Sequence, residues 1–231
     1  MSKEALVIEA LKKITSPSVA NAIETFKVRG RQVGNVSSDI RCLFPELGPM
    51  VGYAVPCLIR AEHEPIKDHR ASTYGWWDYV QTIPAPRVIV VHDLDDPRGQ
   101  GAQWGEVQAN IHKALGCVGV LTDGSVRDLD EVKGLGFQFA AAHVSVSHAW
   151  VHMVDFGIPV KVGGLWIKPG DLVHADQHGA TTIPHEIAEK IPEAVAKIEA
   201  DERQIIGVCR SAGFTAQKLK DLYTKIRPGT Y

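Results

Sequence analysis

Between residues 87 and 142 the chain repeats one pattern, and that pattern restricts the fold more than any other feature. Arg87-Val-Ile-Val-Val-His92 is a short apolar run that reads as a strand. A loop rich in Gly, Asp and Pro follows at 93–101, and residues 103–115 carry helical spacing. Cys117-Val-Gly-Val-Leu-Thr122 is the next strand, followed by a short helix at 128–134 and a strand at 137–142. Alternating strand and helix argues for an α/β domain with a partly parallel sheet.

The flanking segments fit around that core. Residues 3–13 have helical spacing, and Ser16-Pro17 reads as an N-cap with proline at the first helical position, opening a helix through about Phe26. Val51 to Ile59 reads as a buried strand with a possible interruption at Pro56, and residues 73–83 as a helix. Short strands are expected at 158–163, 171–175 and 180–183. The pairs Gly163-Gly164 and Pro169-Gly170 among them suggest a second β layer. The last 45 or so residues read as helical, with breaks near Pro192 and Gly213. No repeat or linker divides the chain, so residues 1–231 are read as one domain with a helical C-terminal extension from about 185.

Composition narrows the class of function. The 231 residues are 45% hydrophobic and 23% charged, an ordinary globular balance. With 25 basic against 27 acidic residues the net charge is −2, so no basic excess exists to grip a nucleic-acid backbone. No apolar run approaches the roughly 20 residues that span a bilayer, and MSKEALVIEALKKI reads as an amphipathic helix and not as a signal peptide. Cys42, Cys57, Cys117 and Cys209 are scattered, with no CxxC pair. Reduced, mostly buried thiols in a cytoplasmic protein are expected.

The stretch that carries chemistry is GAQWGEVQANIHKALGCVGVLTDGSVRD, from Gly101 to Asp128. A strand is expected to end at Thr122 and Asp123-Gly124 to form a tight turn, with Arg127 and Asp128 at its mouth. Ligands of open α/β sheets bind beyond the carboxyl ends of strands. Arg127 offers a planar fork that suits a carboxylate bidentately. Asp128 offers a hard oxygen suited to Mg²⁺ or Mn²⁺, ions that often take few protein ligands and keep several waters. Trp104-Gly105-Glu106 sits at an expected helix start, where unsatisfied N–H groups attract anions. Glu106 could hold a metal-bound water there. Taken singly, an Arg-Asp pair after a turn is commonly a helix cap or surface ion pair, and a first-turn Glu is commonly a partner of the helix dipole. It is their spacing that points to a site.

DGSVRD preceded by WGE resembles the family that contains the class II 4-hydroxy-4-methyl-2-oxoglutarate/4-carboxy-4-hydroxy-2-oxoadipate aldolases and the regulators of ribonuclease E activity. The resemblance continues through Pro159-Val-Lys-Val-Gly-Gly164, Lys168-Pro-Gly-Asp-Leu-Val-His-Ala-Asp176, His178-Gly179 and Ile183-Pro184, over roughly residues 15–210. It implies a swivelling three-layer β/β/α domain assembled as a homotrimer or homohexamer with sites between subunits. It implies Asp128 as the only direct protein ligand of a divalent metal, Mg²⁺ or Mn²⁺, and Arg127 as the residue that binds a pyruvyl group. By the same resemblance Glu106 orients metal-bound water, and the backbone amides of Val107 and Gln108 receive the substrate carboxylate. The implied reaction on a small 2-keto acid is retro-aldol cleavage releasing pyruvate, with oxaloacetate decarboxylation through the same enolate. The departures from the better-known aldolases lie mainly in 143–152 and after 205, so their substrate is not transferred to this chain.

Other features are weighed and set aside. His148 and His152 could share a helical face, yet no third ligand is evident. His174, His178 and His185 lie near strand ends and read first as structural. Trp76-Trp77 reads as core or interface. Lys161 and Lys168 are poor Schiff-base candidates beside a metal motif, and no glycine-rich loop supports a nucleotide cofactor and methyl transfer.

Val195, Ile198, Glu202, Ile205 and Cys209 form an apolar stripe with one carboxylate in it. Glu202 is either a structural ion-pair partner or, as the family implies, a residue delivered to a neighbouring subunit's active site as a proton acceptor. Glu199, off the stripe, is a weaker candidate. The leading expectation is thus a metal-dependent lyase of 2-keto acids. The alternative is a non-catalytic protein-binding regulator of a ribonuclease.

Overall fold

The computed structural model describes residues 2–66 and 70–226. Its centre is a mixed sheet. The strands are β1 (Arg41–Cys42), β2 (Met50–Arg60), β3 (Arg87–Asp93), β4 (Ala102–Trp104), β5 (Cys117–Val126), β6 (Gln138–Val144), β7 (His152–Phe156), β10 (Leu172–Asp176) and β11 (Gly179–Ile183). Their order is β1-β6-β5-β3-β2-β10-β11, with β4 beside the tail of β5 and β7 beside β2. The β2-β3-β5-β6 core is parallel, and the flanking pairs β1-β6, β2-β10, β2-β7 and β10-β11 are antiparallel. The chain just ahead of β1 bridges to β11 through Asn35 and Thr181, so the two ends of the sheet approach one another and the sheet nearly closes.

Burial on both faces explains why the central strands are continuously apolar. Along β3, Val88 and Val90 point one way and Ile89 and Val91 the other, as the two-residue period of a strand requires. The Ile89–Val91 face packs against α3 (Thr73–Thr82), α4 (Glu106–Ala114) and α5 (Leu129–Leu135) through Trp76, Val80, Ala109 and Val132. The Val88–Val90 face is covered by the hairpin β8 (Val160–Val162) and β9 (Leu165–Ile167). Gly163 and Gly164 make its two-residue turn at φ 51° and 83°, a pair of left-handed positions suited to glycine. These are the helical layer, the sheet and the second β layer of the expected three-layer β/β/α arrangement.

A separate cluster joins α1 (Lys3–Leu11), α2 (Ser16–Phe26) and the start of α6 (Ile191–Arg210) to Val51, Leu172 and Ile183; α7 (Ala216–Ile226) follows. His174 belongs to this joint. It is buried, its Nδ1 lies 2.9 Å from Ser16 Oγ, and its Nε2 lies 3.1 and 3.0 Å from the carbonyls of Leu11 and Ile14.

Several local expectations are corrected. Thr15, not Ser16, caps α2, because the Ser16 hydroxyl is committed to His174. Pro56 does not interrupt β2: it faces Val90 in register and its carbonyl accepts from Gly157. Pro192 opens α6 at its first turn instead of breaking it. Residues 103 and 104 belong to strand β4 and not to the helix expected over 103–115, and α4 starts at Glu106. His152 lies on β7 and His148 in the preceding loop, so they share no helical face. No helix among the described residues is long and apolar enough to cross a membrane.

Candidate functional site

The site is built where β5 changes neighbours. β5 pairs with β3 through Thr122 and with β4 from Ser125 onward. Asp123-Gly124 is therefore not a tight turn but an irregularity inside one strand, held by the Gly124 N–H donating to Thr122 Oγ1 at 2.9 Å. A Cβ on Gly124 would stand 3.0 Å from Asp93 Oδ2 and 3.1 Å from Asp93 Cβ, so a side chain there would crowd the carboxylate beneath. β5 runs on to Val126, and the Arg127 N–H donates to the Trp104 carbonyl at 3.0 Å. That bond sets the chain leaving β5 against the chain entering α4.

Asp128 follows in the left-handed region, φ 55° and ψ 50°. Aspartate tolerates this backbone better than most residues, and such positions concentrate at functional sites. Asp128 precedes α5 without capping it; instead its Oδ2 accepts the Glu106 N–H at 2.9 Å across the site. Arg127 Nε lies 3.6 Å from the same oxygen. Gly105 makes the approach possible, since a Cβ there would sit 2.2 Å from Asp128 Oδ2. Asp128 Oδ1 and the terminal nitrogens of Arg127 have no protein partner among the described residues. Both side chains are about one-third exposed, 35% and 36%.

The first turn of α4 completes the group. Glu106 is exposed, and Val107 and Gln108 contribute leading N–H groups that lack intrahelical acceptors. The turn is anchored from behind: His112 Nδ1–H donates to the Gln108 carbonyl and His112 Nε2 accepts from Trp76 Nε1, each at 2.7 Å. Burial pushes the His112 imidazole down to about 4, against a weaker raising effect from the Gln108 carbonyl. The ring is therefore neutral near pH 7 and able to accept from Trp76.

Five of the six sequence candidates thus converge: Glu106, Val107, Gln108, Arg127 and Asp128. Glu202 does not join them within one chain. It is half-exposed on α6, which packs with α1 and α2 and not with α4 or α5. Among the described residues no three His, Cys, Asp or Glu side chains form a metal cage. A free Asp128 oxygen with Glu106 beside it still fits a hard cation that keeps most of its waters, because Mg²⁺ and Mn²⁺ sites use few carboxylates.

The sequence reading missed a second acidic group under the same strand ends. Asp123 is 5% exposed; its Oδ1 accepts the Asp93 N–H at 2.9 Å, and its Oδ2 lies 2.8 Å from His92 Nδ1 and 3.4 Å from Arg98 Nε. Asp93 accepts the Gly99 and Asp95 N–H groups, and Asp95 Oδ2 accepts those of Ala61 and Glu62. Burial raises the Asp93 carboxyl, with Asp95 and Asp123 adding to the rise and the Gly99 and Asp95 N–H groups opposing it. The segment His92-Asp-Leu-Asp-Asp-Pro-Arg-Gly99 follows a strand end, so the rule that singled out Arg127 would also have singled out this loop.

Comparison with known proteins gives this arrangement a context. The family model described as "RraA-like: Aldolase/RraA" matches residues 17–182. A protein of Halalkalibacterium halodurans named "Putative 4-hydroxy-4-methyl-2-oxoglutarate aldolase" is 30% identical over 99 residues, 42% of this chain and 47% of that protein. The chain thus matches about half the length of that relative. The fold matches a crystal structure of an uncharacterized protein from Pseudomonas syringae pv. tomato, at TM-score 0.73 and 21% identity over 96% of this chain and 95% of that one. It also matches Streptomyces coelicolor RraAS2, described as an unusual member of the RNase ES inhibitor RraA protein family. That match has TM-score 0.67 and 21% identity over 88% and 96% of the two chains.

Proposed function

The chain belongs to the RraA-like family, and from that premise we propose that it is a divalent-metal-dependent lyase that breaks a carbon–carbon bond in a small 2-keto acid. One observation carries the reading. Asp128 and Arg127 each keep an uncommitted polar group beside the open first turn of α4, while the Glu106 N–H and the Trp104 carbonyl fix where the two residues stand.

The chemistry follows from those groups. The N–H groups of Val107 and Gln108 hold the substrate carboxylate with the help of the helix dipole. The Arg127 fork donates to the keto oxygen, where negative charge grows as the bond breaks. Asp128, pinned by the Glu106 N–H, would hold Mg²⁺ or Mn²⁺, with Glu106 reaching it through water. A cation bound there supplies Lewis-acid polarisation of the keto acid. In decarboxylation of oxaloacetate the C3–C4 bond breaks, CO₂ leaves, and the electron pair passes into a pyruvate enolate that is then protonated at carbon. In retro-aldol cleavage a base must also remove the substrate hydroxyl proton.

For that base we propose Glu202 of a second copy, in a homotrimer or homohexamer. Within one chain Glu202 has no ion-pair partner among the described residues. Val144, Val146 and Trp150 stand exposed in one chain, with Val146 at 99%, as residues covered by a neighbour would. Glu202→Gln should lower aldol cleavage and spare oxaloacetate decarboxylation. Equal small losses in both, with a lowered melting temperature, would make Glu202 structural.

The reading is tested by oxaloacetate decarboxylation with Mg²⁺, with and without chelator. Chelator-sensitive turnover is expected. No turnover above the metal-only background would favour the alternative, a protein-binding regulator of a ribonuclease; RraAS2 is described as an unusual member of the RNase ES inhibitor RraA protein family.

A further inference from the structure

α4 starts without help from a side-chain cap. Gly105 stands at its N-cap, because a Cβ there would meet Asp128 Oδ2 at 2.2 Å. The Glu106 N–H is committed to Asp128. A helix of nine residues is marginally stable by itself, and an uncapped first turn frays readily. Yet the proposed reaction asks this turn to present the N–H groups of Val107 and Gln108 in a fixed direction. Something other than a cap must hold it.

His112 does so from one turn further on. It is 1% exposed, and both ring nitrogens are bonded at 2.7 Å. The Gln108 carbonyl can only accept and the Trp76 indole N–H can only donate, so Nδ1 carries the proton and Nε2 presents its lone pair. Burial keeps the ring neutral near pH 7, so it lends the site no charge and its contribution is geometric. A side chain that bonds back to the carbonyl four residues earlier bends a helix and does not strengthen it. What the bond sets here is the tilt of the Gln108 peptide, while Trp76 of α3 fixes the ring from its other side.

The same ring also reaches the other half of the site. It packs against the buried Trp104, with ring centroids 5.5 Å apart. The Trp104 carbonyl accepts the Arg127 N–H at 3.0 Å. One buried imidazole therefore stands behind both the amide turn and the residue that fixes Arg127.

We propose that His112 is a positioning residue, which holds the first turn of α4 in register with Arg127 so that one substrate meets the amides and the arginine fork together. The proposal rests on the lyase reading above; the ring itself, being buried, touches no substrate. The amides hold the carboxylate before and during bond breaking, so a displaced turn weakens binding and leaves the chemical step alone.

Two substitutions separate the two bonds. His112→Asn keeps an N–H for the Gln108 carbonyl and releases Trp76; His112→Gln keeps an oxygen for Trp76 and releases the Gln108 carbonyl. Each is measured for oxaloacetate decarboxylation with Mg²⁺, for unfolding midpoint, and for pyruvate binding with Mg²⁺ by calorimetry, which needs no turnover. His112→Gln should raise KM and the pyruvate Kd about tenfold, the scale of one hydrogen bond to a charged group. Its kcat should stay within about twofold, as for lost uniform binding. His112→Asn should bring both constants back to within about threefold of the unaltered protein, the scale of a neutral hydrogen bond. A ring that only fills the core would lower the midpoint in both variants and leave KM and Kd unchanged. That result would overturn the proposal, as would an equal rise of the constants in both variants. Should His112→Gln fail to fold, Trp76→Phe, which leaves Nε2 without its donor, should raise both constants about threefold; unchanged constants would then overturn it. If the unaltered protein and its variants bind pyruvate in the expected order without decarboxylating oxaloacetate, the lyase reading fails and the positioning role stands. If the unaltered protein binds no pyruvate, the positioning role fails as well.

Discussion

Asp123 and Asp128 stand a few residues apart at the end of one strand, yet they are opposite kinds of carboxylate. Asp123 is buried, and both oxygens are committed: to the Asp93 N–H, to His92 and to Arg98. Asp128 is about one-third exposed and receives one N–H bond, from Glu106, leaving an oxygen free. The same residue type is fully committed in one place and keeps an oxygen open in the other. Saturation of hydrogen-bonding capacity, not residue type, separates the two. A saturated buried carboxylate holds loops together; an unsaturated one on a left-handed backbone, fixed from one side only, is available for chemistry.

Substitutions sharpen that contrast. The largest effect is expected from Arg127→Lys, which keeps the charge and loses the planar fork. Oxaloacetate decarboxylation should fall at least about a hundredfold, the scale of losing one oxyanion donor, while the melting temperature stays put. Near-normal steady-state kinetics would make Arg127 structural. Asp123→Ala should do the reverse. It strands the Asp93 N–H and the His92 and Arg98 donors, which costs about 2 kcal/mol of stability, read by denaturant unfolding. An unchanged unfolding midpoint would contradict the clamp. Gly105→Ala is the gentlest test. Its Cβ would collide with Asp128 Oδ2 and Cγ and with Arg127 Cγ, while the backbone at φ −139° accepts alanine. Manganese affinity should weaken about tenfold, as when a metal ligand loses its support, with little change in stability.

The same contrast explains what could be read from the sequence. Glu106, Val107, Gln108, Arg127 and Asp128 were legible because each belongs to a local signature, a helix start or a strand exit. The buried network was not, because His92, Asp93 and Asp123 meet through strand neighbours far apart in the chain. Asp123-Gly124 has the composition of a turn, but tertiary pairing of β5 with β3 and then β4 keeps it in the strand. Residues 103 and 104 fit a helical pattern for a similar reason: they are strand only because the tail of β5 pairs with β4. β7 is absent from the sequence expectation because it is short and defined by pairing with distant β2, His152 opposite Arg60. The three-layer architecture survived these local errors, since the β3-α4-β5-α5-β6 alternation that defines it is carried by long apolar periodicities.

The central claim is that Asp128, and not the acidic cluster beneath it, is where a cation binds. Manganese titration followed by electron paramagnetic resonance tests this without relying on turnover. The account predicts one Mn²⁺ per chain in the unaltered protein, and loss of that site in Asp128→Ala with the unfolding midpoint preserved. Equal Mn²⁺ binding by the folded Asp128→Ala variant would contradict it.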